Sequence, residues 1–211
     1  MKLQLAFDDL SLCDALKLAE ETKDFVDIFE IGTPFLLKEG IKAVREFKKY
    51  FPEKEILADT KIVDAGDFEA EMAFEAGADY CTVISVTDNL TINGCLKTCE
   101  KYEKKVFVDT INSPNLIERI ASLEKMGVTN ISVHVGVDEQ AVGKTPLEEL
   151  KLVKKIAKNS IISVAGGINE HTIAEYVAEK PDIIIVGSGI INSNSPLESA
   201  KTMFNKIHYV K

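Results

Sequence analysis

The stretch Glu55-Ile56-Leu57-Ala58-Asp59-Thr60-Lys61-Ile62-Val63-Asp64 decides how this chain is read. A short apolar run comes first, and three charged side chains follow it at spacings of two and three, where packing has no use for charge. A strand sends alternate residues to one face, so Asp59 and Lys61 are expected to project together from its end. Asp64 falls in the turn beyond. Two carboxylates and an ammonium then converge at one mouth.

The same unit recurs along the chain. Apolar, β-prone runs occupy 3–7, 26–31, 55–58, 80–84, 105–108, 130–133, 161–165 and 182–186, with helical patterns between them. Short, continuous apolar runs suit strands buried on both faces of a parallel sheet, and parallel strands need crossover helices. The last helix shows the pattern well. Ser195-Pro196 is a start signal, and Leu197, Ala200, Met203, Phe204 and Ile207 form a stripe at spacings of three and four. Gly77 and Gly127 stand where helix C-caps are expected. Eight units favour an α/β fold, a closed (β/α)8 TIM barrel, over an open doubly wound sheet. No linker or composition shift divides the chain, so one domain over residues 1–211 is expected.

The 25 basic against 34 acidic residues give a formal charge of −9, which opposes attraction to nucleic acid or anionic lipid. No apolar run approaches the roughly 20 residues needed to span a bilayer, and the first residues enter a strand pattern without a signal-peptide core. The chain reads as cytoplasmic. Cys13, Cys81, Cys95 and Cys99 form no C-x-x-C pair and read as reduced thiols, although Cys95 and Cys99 are one helical turn apart.

In such a barrel the active site lies at the C-terminal ends of the strands. Asp8, Glu30, Asp59 with Lys61, Ser85, Asp109, His134, Gly166-Gly167 and Gly187-Ser188 stand there. Asp8 could serve the site or simply cap the first helix. Glu30, inside a buried strand, needs a cation or donor to offset its desolvation. With Asp59 from the neighbouring strand it makes an oxygen-only pair suited to Mg²⁺. The glycine turns after the seventh and eighth strands could reflect tight packing, but at consecutive strand ends they point to a phosphate on the substrate. His134 is either a rim imidazole or a hydrogen-bonded core histidine, whereas His171 and His208 read as solvated.

These residues resemble the orotidine monophosphate decarboxylase superfamily of phosphate-binding barrels. The likeness rests on the D-x-K-x-x-D pattern Asp59-Lys61-Asp64 and the paired glycine turns. Within the superfamily, Leu3-Gln4-Leu5-Ala6-Phe7-Asp8, Glu30-Ile31-Gly32-Thr33-Pro34 and the segment from Val133 to Ala141 resemble the 3-hexulose-6-phosphate synthase family. The resemblance implies that Glu30 and Asp59 hold Mg²⁺, that Lys61 touches the reacting oxygens, and that Gly166, Gly167, Gly187 and Ser188 hold the phosphate. It also implies a homodimer in which Asp64 completes the facing subunit's site. The implied reaction is reversible aldol addition of formaldehyde to ribulose 5-phosphate. Val135 and Ser188 depart from the usual Thr and Gly of that family.

The chemistry agrees with the residues. Loss of a proton beside a ketone gives an enediolate that a divalent cation and Lys61 can stabilise. His134 is the candidate to move the proton, and Asp8 to orient Lys61 or a substrate hydroxyl. Two other readings stand beside this one: a 3-keto-L-gulonate 6-phosphate decarboxylase, whose family places arginines that are missing here, and a sugar-phosphate binder without turnover.

Overall fold

The computed structural model describes residues 1–209. Eight strands, β1 (Lys2–Phe7), β2 (Ile28–Ile31), β3 (Glu55–Ile62), β4 (Tyr80–Ile84), β5 (Lys105–Asp109), β6 (Asn130–His134), β7 (Ile161–Ala165) and β8 (Ile183–Val186), close in sequence order into one parallel barrel. Helices fill every connection, so the chain is the (β/α)8 barrel that its periodicity implies.

Extra helices elaborate three of the segments that follow strands. Thr33–Glu39 and Lys42–Tyr50 share the connection after β2, and the short helices Val137–Gln140 and Ser188–Ile191 sit at the mouth after β6 and β8. Gly77 and Gly127 follow their helices at φ 101° and 92°, a backbone conformation that glycine adopts without the Cβ penalty.

Outward-facing strand residues and the inner helix faces form one large core. In it Phe7, Phe29, Phe47 and Phe51 pack ring against ring at centroid separations of 5.1–6.0 Å. Inside the barrel, Ile28, Leu57, Phe107 and Ile183 form a separate apolar plug with Tyr80, Ile161 and Ile185. The plug fills the lower barrel and leaves the residues above it to line a cavity.

The opposite end is closed by a repeated device. Asp27, Asp79 and Asp182 each stand one residue before a strand, and each accepts the backbone N–H of a residue in the preceding strand. The three bonds come from Leu3 (2.7 Å), Ile56 (2.9 Å) and Ile162 (2.8 Å). Asp79 is also bonded by Lys48 at 2.9 Å and Lys104 at 2.6 Å.

One expected boundary is corrected. β3 does not stop at Ala58: it runs to Ile62, because the ladder with β4 pairs Ala58 with Cys81, breaks, and resumes at Ile62 with Val83. The polar residues 59–61 are therefore a bulge inside a strand rather than a loop after one.

Candidate active site

A cavity of about 660 Å³ opens at the C-terminal mouth of the barrel. Asp8, Glu30, Asp59, Lys61 and His134 all line it, as do Gly166, Gly167, Gly187 and Ser188. Asp64 does not. It lies exposed in the turn after β3, its carboxylate accepting the N–H of Ala65 at 2.8 Å.

The centre of the site is a chain of charge. The Lys61 ammonium is paired with Asp59 and lies 3.7 Å from Asp109, and the same Asp109 oxygen sits 2.8 Å from His134 Nδ1. Burial alone would push the lysine's pKa down, but the charges of Asp59 and Asp109 outweigh it and hold Lys61 as an ammonium. His134 is likewise driven down by burial and up by its hydrogen bond to Asp109, with a net rise. With Nδ1 committed to Asp109, Nε2 is the ring nitrogen left for a reacting group.

Strict alternation does not explain how Asp59 and Lys61 meet. Lys61 adopts φ 46°, a left-handed backbone that costs a lysine on the order of 1 kcal/mol. Its N–H donates to Thr82 Oγ1 at 2.8 Å, and that hydroxyl donates to Asp59 Oδ1 at 2.7 Å. Thr33 Oγ1 donates to Asp59 Oδ2 at 2.9 Å. Burial raises the Asp59 pKa, but the Lys61 charge and the hydrogen bonds from Lys61, Thr82 and Thr33 bring it below the ordinary value.

Glu30 is treated differently. It receives one side-chain hydrogen bond, from Gln4 Nε2 at 2.5 Å, while burial and the Asp59 charge push its pKa up to about 8. Among the described residues no group of three or more His, Cys, Asp or Glu side chains is arranged to hold a metal alone. A pair of buried carboxylates with so few donors on one member nevertheless fits Mg²⁺, which takes one or two carboxylates and fills its remaining positions with water and substrate oxygens.

Asp8 lies between two glycines. A Cβ on Gly32 would stand 2.0 Å from Asp8 Oδ1, and one on Gly187 would stand 3.3 Å from Oδ2. Asp8 does not cap the first helix, because Ser11 does. Burial and the Asp59 charge raise its pKa. The groups that contact the Lys61 ammonium are Asp59 and Asp109, and no hydrogen bond joins Asp8 to Lys61 among the described residues. At the other side of the mouth Gly166 has φ 127° and Gly167 φ 68°. A Cβ on Gly166 would meet Val135 O at 2.6 Å. The turn therefore needs glycine for space as well as for φ.

The sequence pattern assigns no role to Gln4, Thr33 or Thr82, and places Asp109 on the rim without a partner. Gln4, Thr82 and Asp109 each carry the same signal: a polar residue at an inward position of a buried strand.

The orotidine 5′-phosphate decarboxylase / HUMPS family model matches residues 1–203. The chain belongs to this family. Among curated relatives, the 3-hexulose-6-phosphate synthase of Bacillus subtilis (strain 168) is 43% identical over 203 residues, covering 96% of this chain and 97% of that protein. The crystal structure of 3-hexulose-6-phosphate synthase from Salmonella typhimurium superposes with a TM-score of 0.97 at 42% identity, covering 98% of each chain. The crystal structure of KGPDC from Streptococcus mutans is more distant, with a TM-score of 0.87 and 25% identity over 99% of this chain and 98% of that one. The family's fold is thus carried over nearly the whole length.

Proposed function

We propose that this protein is a Mg²⁺-dependent aldehyde-lyase of the 3-hexulose-6-phosphate synthase type, joining D-ribulose 5-phosphate to formaldehyde reversibly. The observation that carries this reading is the line of Asp59, Lys61, Asp109 and His134 along one cavity that, among the described residues, no arginine lines. A carboxylated sugar phosphate would bring a carboxylate for which the cavity, among the described residues, has no free lysine or arginine, since Lys61 is already shared by two carboxylates. Formaldehyde brings no charge. The absence of an arginine therefore favours aldol addition over decarboxylation of 3-keto-L-gulonate 6-phosphate.

In this mechanism His134 Nε2 takes a proton from C1 of ribulose 5-phosphate, beside the C2 ketone. Asp109 holds the ring in place and balances the imidazolium that forms. Lys61 places its ammonium against the oxygens that gain charge in the enediolate, where a fixed positive group acts most strongly. Mg²⁺ held by Glu30 and Asp59 would supply further positive charge to those same oxygens. The C1 carbon attacks formaldehyde, and the proton held on His134 passes to the new alkoxide. Lys61 is not set up for a Schiff base, because its two carboxylates keep it protonated. The amide-rich turns at Gly166-Gly167 and Gly187-Ser188 receive the phosphate without a charged partner.

Asp64 then acts in a second copy of the chain. Val63, Phe68, Met72 and Leu90 are 45–79% exposed on and near the helix that follows Asp64, an apolar surface suited to a homodimer. No helix among the described residues is long and apolar enough to cross a membrane, and a cytoplasmic setting agrees with the reduced thiols.

The test is direct. Purified protein is incubated with ribulose 5-phosphate, formaldehyde and Mg²⁺, with and without chelator, and formaldehyde loss and the six-carbon product are followed. Chelator-sensitive consumption is expected. Decarboxylation of 3-keto-L-gulonate 6-phosphate without formaldehyde consumption would reassign the reaction, and ligand binding with neither would leave a sugar-phosphate binder.

A further inference from the structure

Thr82 occupies the break in the barrel. Between the pairs Ala58 with Cys81 and Ile62 with Val83, the β3–β4 ladder is interrupted, and two threonines fill the gap. Thr60 Oγ1 donates to the Thr82 carbonyl at 2.8 Å, and Thr82 N–H donates back to Thr60 Oγ1 at 3.2 Å. The Thr82 hydroxyl then does two further things at once. It accepts the N–H of Lys61 at 2.8 Å and donates its own proton to Asp59 Oδ1 at 2.7 Å. Thr82 is buried, and it lines the cavity.

We infer that Thr82 is a positioning residue for the reaction, a hydroxyl clip that fixes the left-handed backbone of Lys61 and the rotamer of Asp59 in one geometry. A threonine hydroxyl has one proton to give and lone pairs to accept with, and here the proton is committed to Asp59 and a lone pair to the Lys61 N–H. No aliphatic side chain can do either, and an ordinary ladder would send the Lys61 N–H to a β4 carbonyl instead. A lysine with φ 46° persists only where its surroundings over-determine it. Among the described residues, the only side-chain acceptor for its N–H is this hydroxyl. Thr33 also holds Asp59, from the other side, but it makes no hydrogen bond with the Lys61 backbone. Thr82 therefore links the two residues, and a shift of either by about 1 Å is enough to cost an enzyme about 10²-fold in rate.

This inference rests on the proposed aldol reading, and the experiment separates the two. The protein is made as wild type, Thr82→Val and Thr82→Ser, with folding of each followed by its melting temperature. The first readout needs no substrate: amide hydrogen exchange at Lys61, measured by NMR. Lys61 exchanges slowly in wild type and Thr82→Ser, and at least tenfold faster in Thr82→Val. The second readout is turnover of ribulose 5-phosphate with formaldehyde. Thr82→Val loses about 10²-fold in kcat with KM for ribulose 5-phosphate within about threefold, and Thr82→Ser restores kcat to within about fivefold of wild type. Equal exchange at Lys61 in all three proteins overturns the clip whatever the enzyme's reaction. Loss of protection in Thr82→Val without loss of kcat, or a serine variant as slow as the valine, overturns the positioning role. Protection that follows the hydroxyl in a protein that consumes no formaldehyde upholds the clip and overturns the aldol reading instead.

Discussion

Glu30 makes the proposed metal site testable without any substrate. Its carboxyl is buried beside Asp59 with a single side-chain donor, and its pKa is pushed up to about 8. At pH 7 most metal-free molecules therefore carry a proton there, and fewer do as pH rises. Asp59 contributes nothing to this count, because Lys61 and the two threonines hold it ionised. A cation can use Glu30 only as a carboxylate, so Mg²⁺ binding at pH 7 should release most of a proton per site and at pH 9 little. The apparent affinity should climb about tenfold per pH unit up to pH 7 and level off above pH 8. Calorimetric titration in buffers of different ionisation enthalpy reads the proton count directly. Saturable Mg²⁺ binding with no proton release at pH 7, or an affinity flat from pH 6 to 9, would show that Glu30 does not take the ion as a carboxylate. Glu30→Gln should abolish the release. The same group shapes stability. A folded value raised above the ordinary 4.5 gives a contribution that is full below pH 4.5 and lost as pH rises through about 8. The metal-free wild type should therefore lose melting temperature relative to Glu30→Gln between pH 5 and pH 8.

Other consequences can be measured independently. Asp109→Asn removes the partner that raises the His134 pKa, so the acidic limb of kcat/KM should move to lower pH while the maximum falls about tenfold to hundredfold; an unmoved limb would take His134 out of the base role. Asp79→Asn weakens contacts with Lys48 and Lys104 and should cost about 2 kcal/mol near neutral pH by urea unfolding. Asp79 has a lowered pKa, since hydrogen bonds from Lys104, Lys48 and the Ile56 N–H outweigh its burial. Its contribution is thus present above about pH 4 and lost as pH falls from there through the depressed folded value, and the gap between wild type and variant should close in acid. Finally, inactive Asp64→Ala and Lys61→Ala chains, mixed and shown to form heterodimers, should regain part of the activity; no recovery counts against a shared site.

The barrel was legible because parallel strands buried on both faces leave an unalternating signature, as in Ile28-Phe29-Glu30-Ile31, where a charge in so apolar a setting advertises the mouth of the barrel. The placement of Asp64 was not: read as converging with Asp59 and Lys61 at one mouth, it lies exposed in the turn past β3 and outside the cavity of its own chain. Nor was the extent of β3. Asp59-Thr60-Lys61 has the composition of a loop, and only the resumption of pairing at Ile62 shows that the strand continues. The bulge also hid Thr82, whose partners depend on a register break that no local pattern announces. The tie between Asp109 and His134 joins residues 25 apart in sequence on adjacent strands. Both could be placed on the rim, but their contact depends on the tilt and stagger of the closed sheet.

The distribution of donors gives the site its direction. Asp8, Asp9, Glu30, Asp59, Asp109 and Asp138 line a cavity whose only lysine, among the described residues, is Lys61. Asp59 receives hydrogen bonds from Thr33, Thr82 and Lys61, and Asp109 accepts the Ile111 N–H, is hydrogen-bonded to His134 and lies 3.7 Å from the Lys61 ammonium. Glu30 has Gln4 alone among the described side chains. If the cavity were built only to be stable, its donors would be spread more evenly, because an under-paired buried carboxylate is the costliest member of such a set. Concentrating them on Asp59 and Asp109 fixes the groups that hold Lys61 and His134, and leaves Glu30 buried with a single side-chain donor. This uneven distribution of donors is what supports the proposed divalent ion as the partner of Glu30.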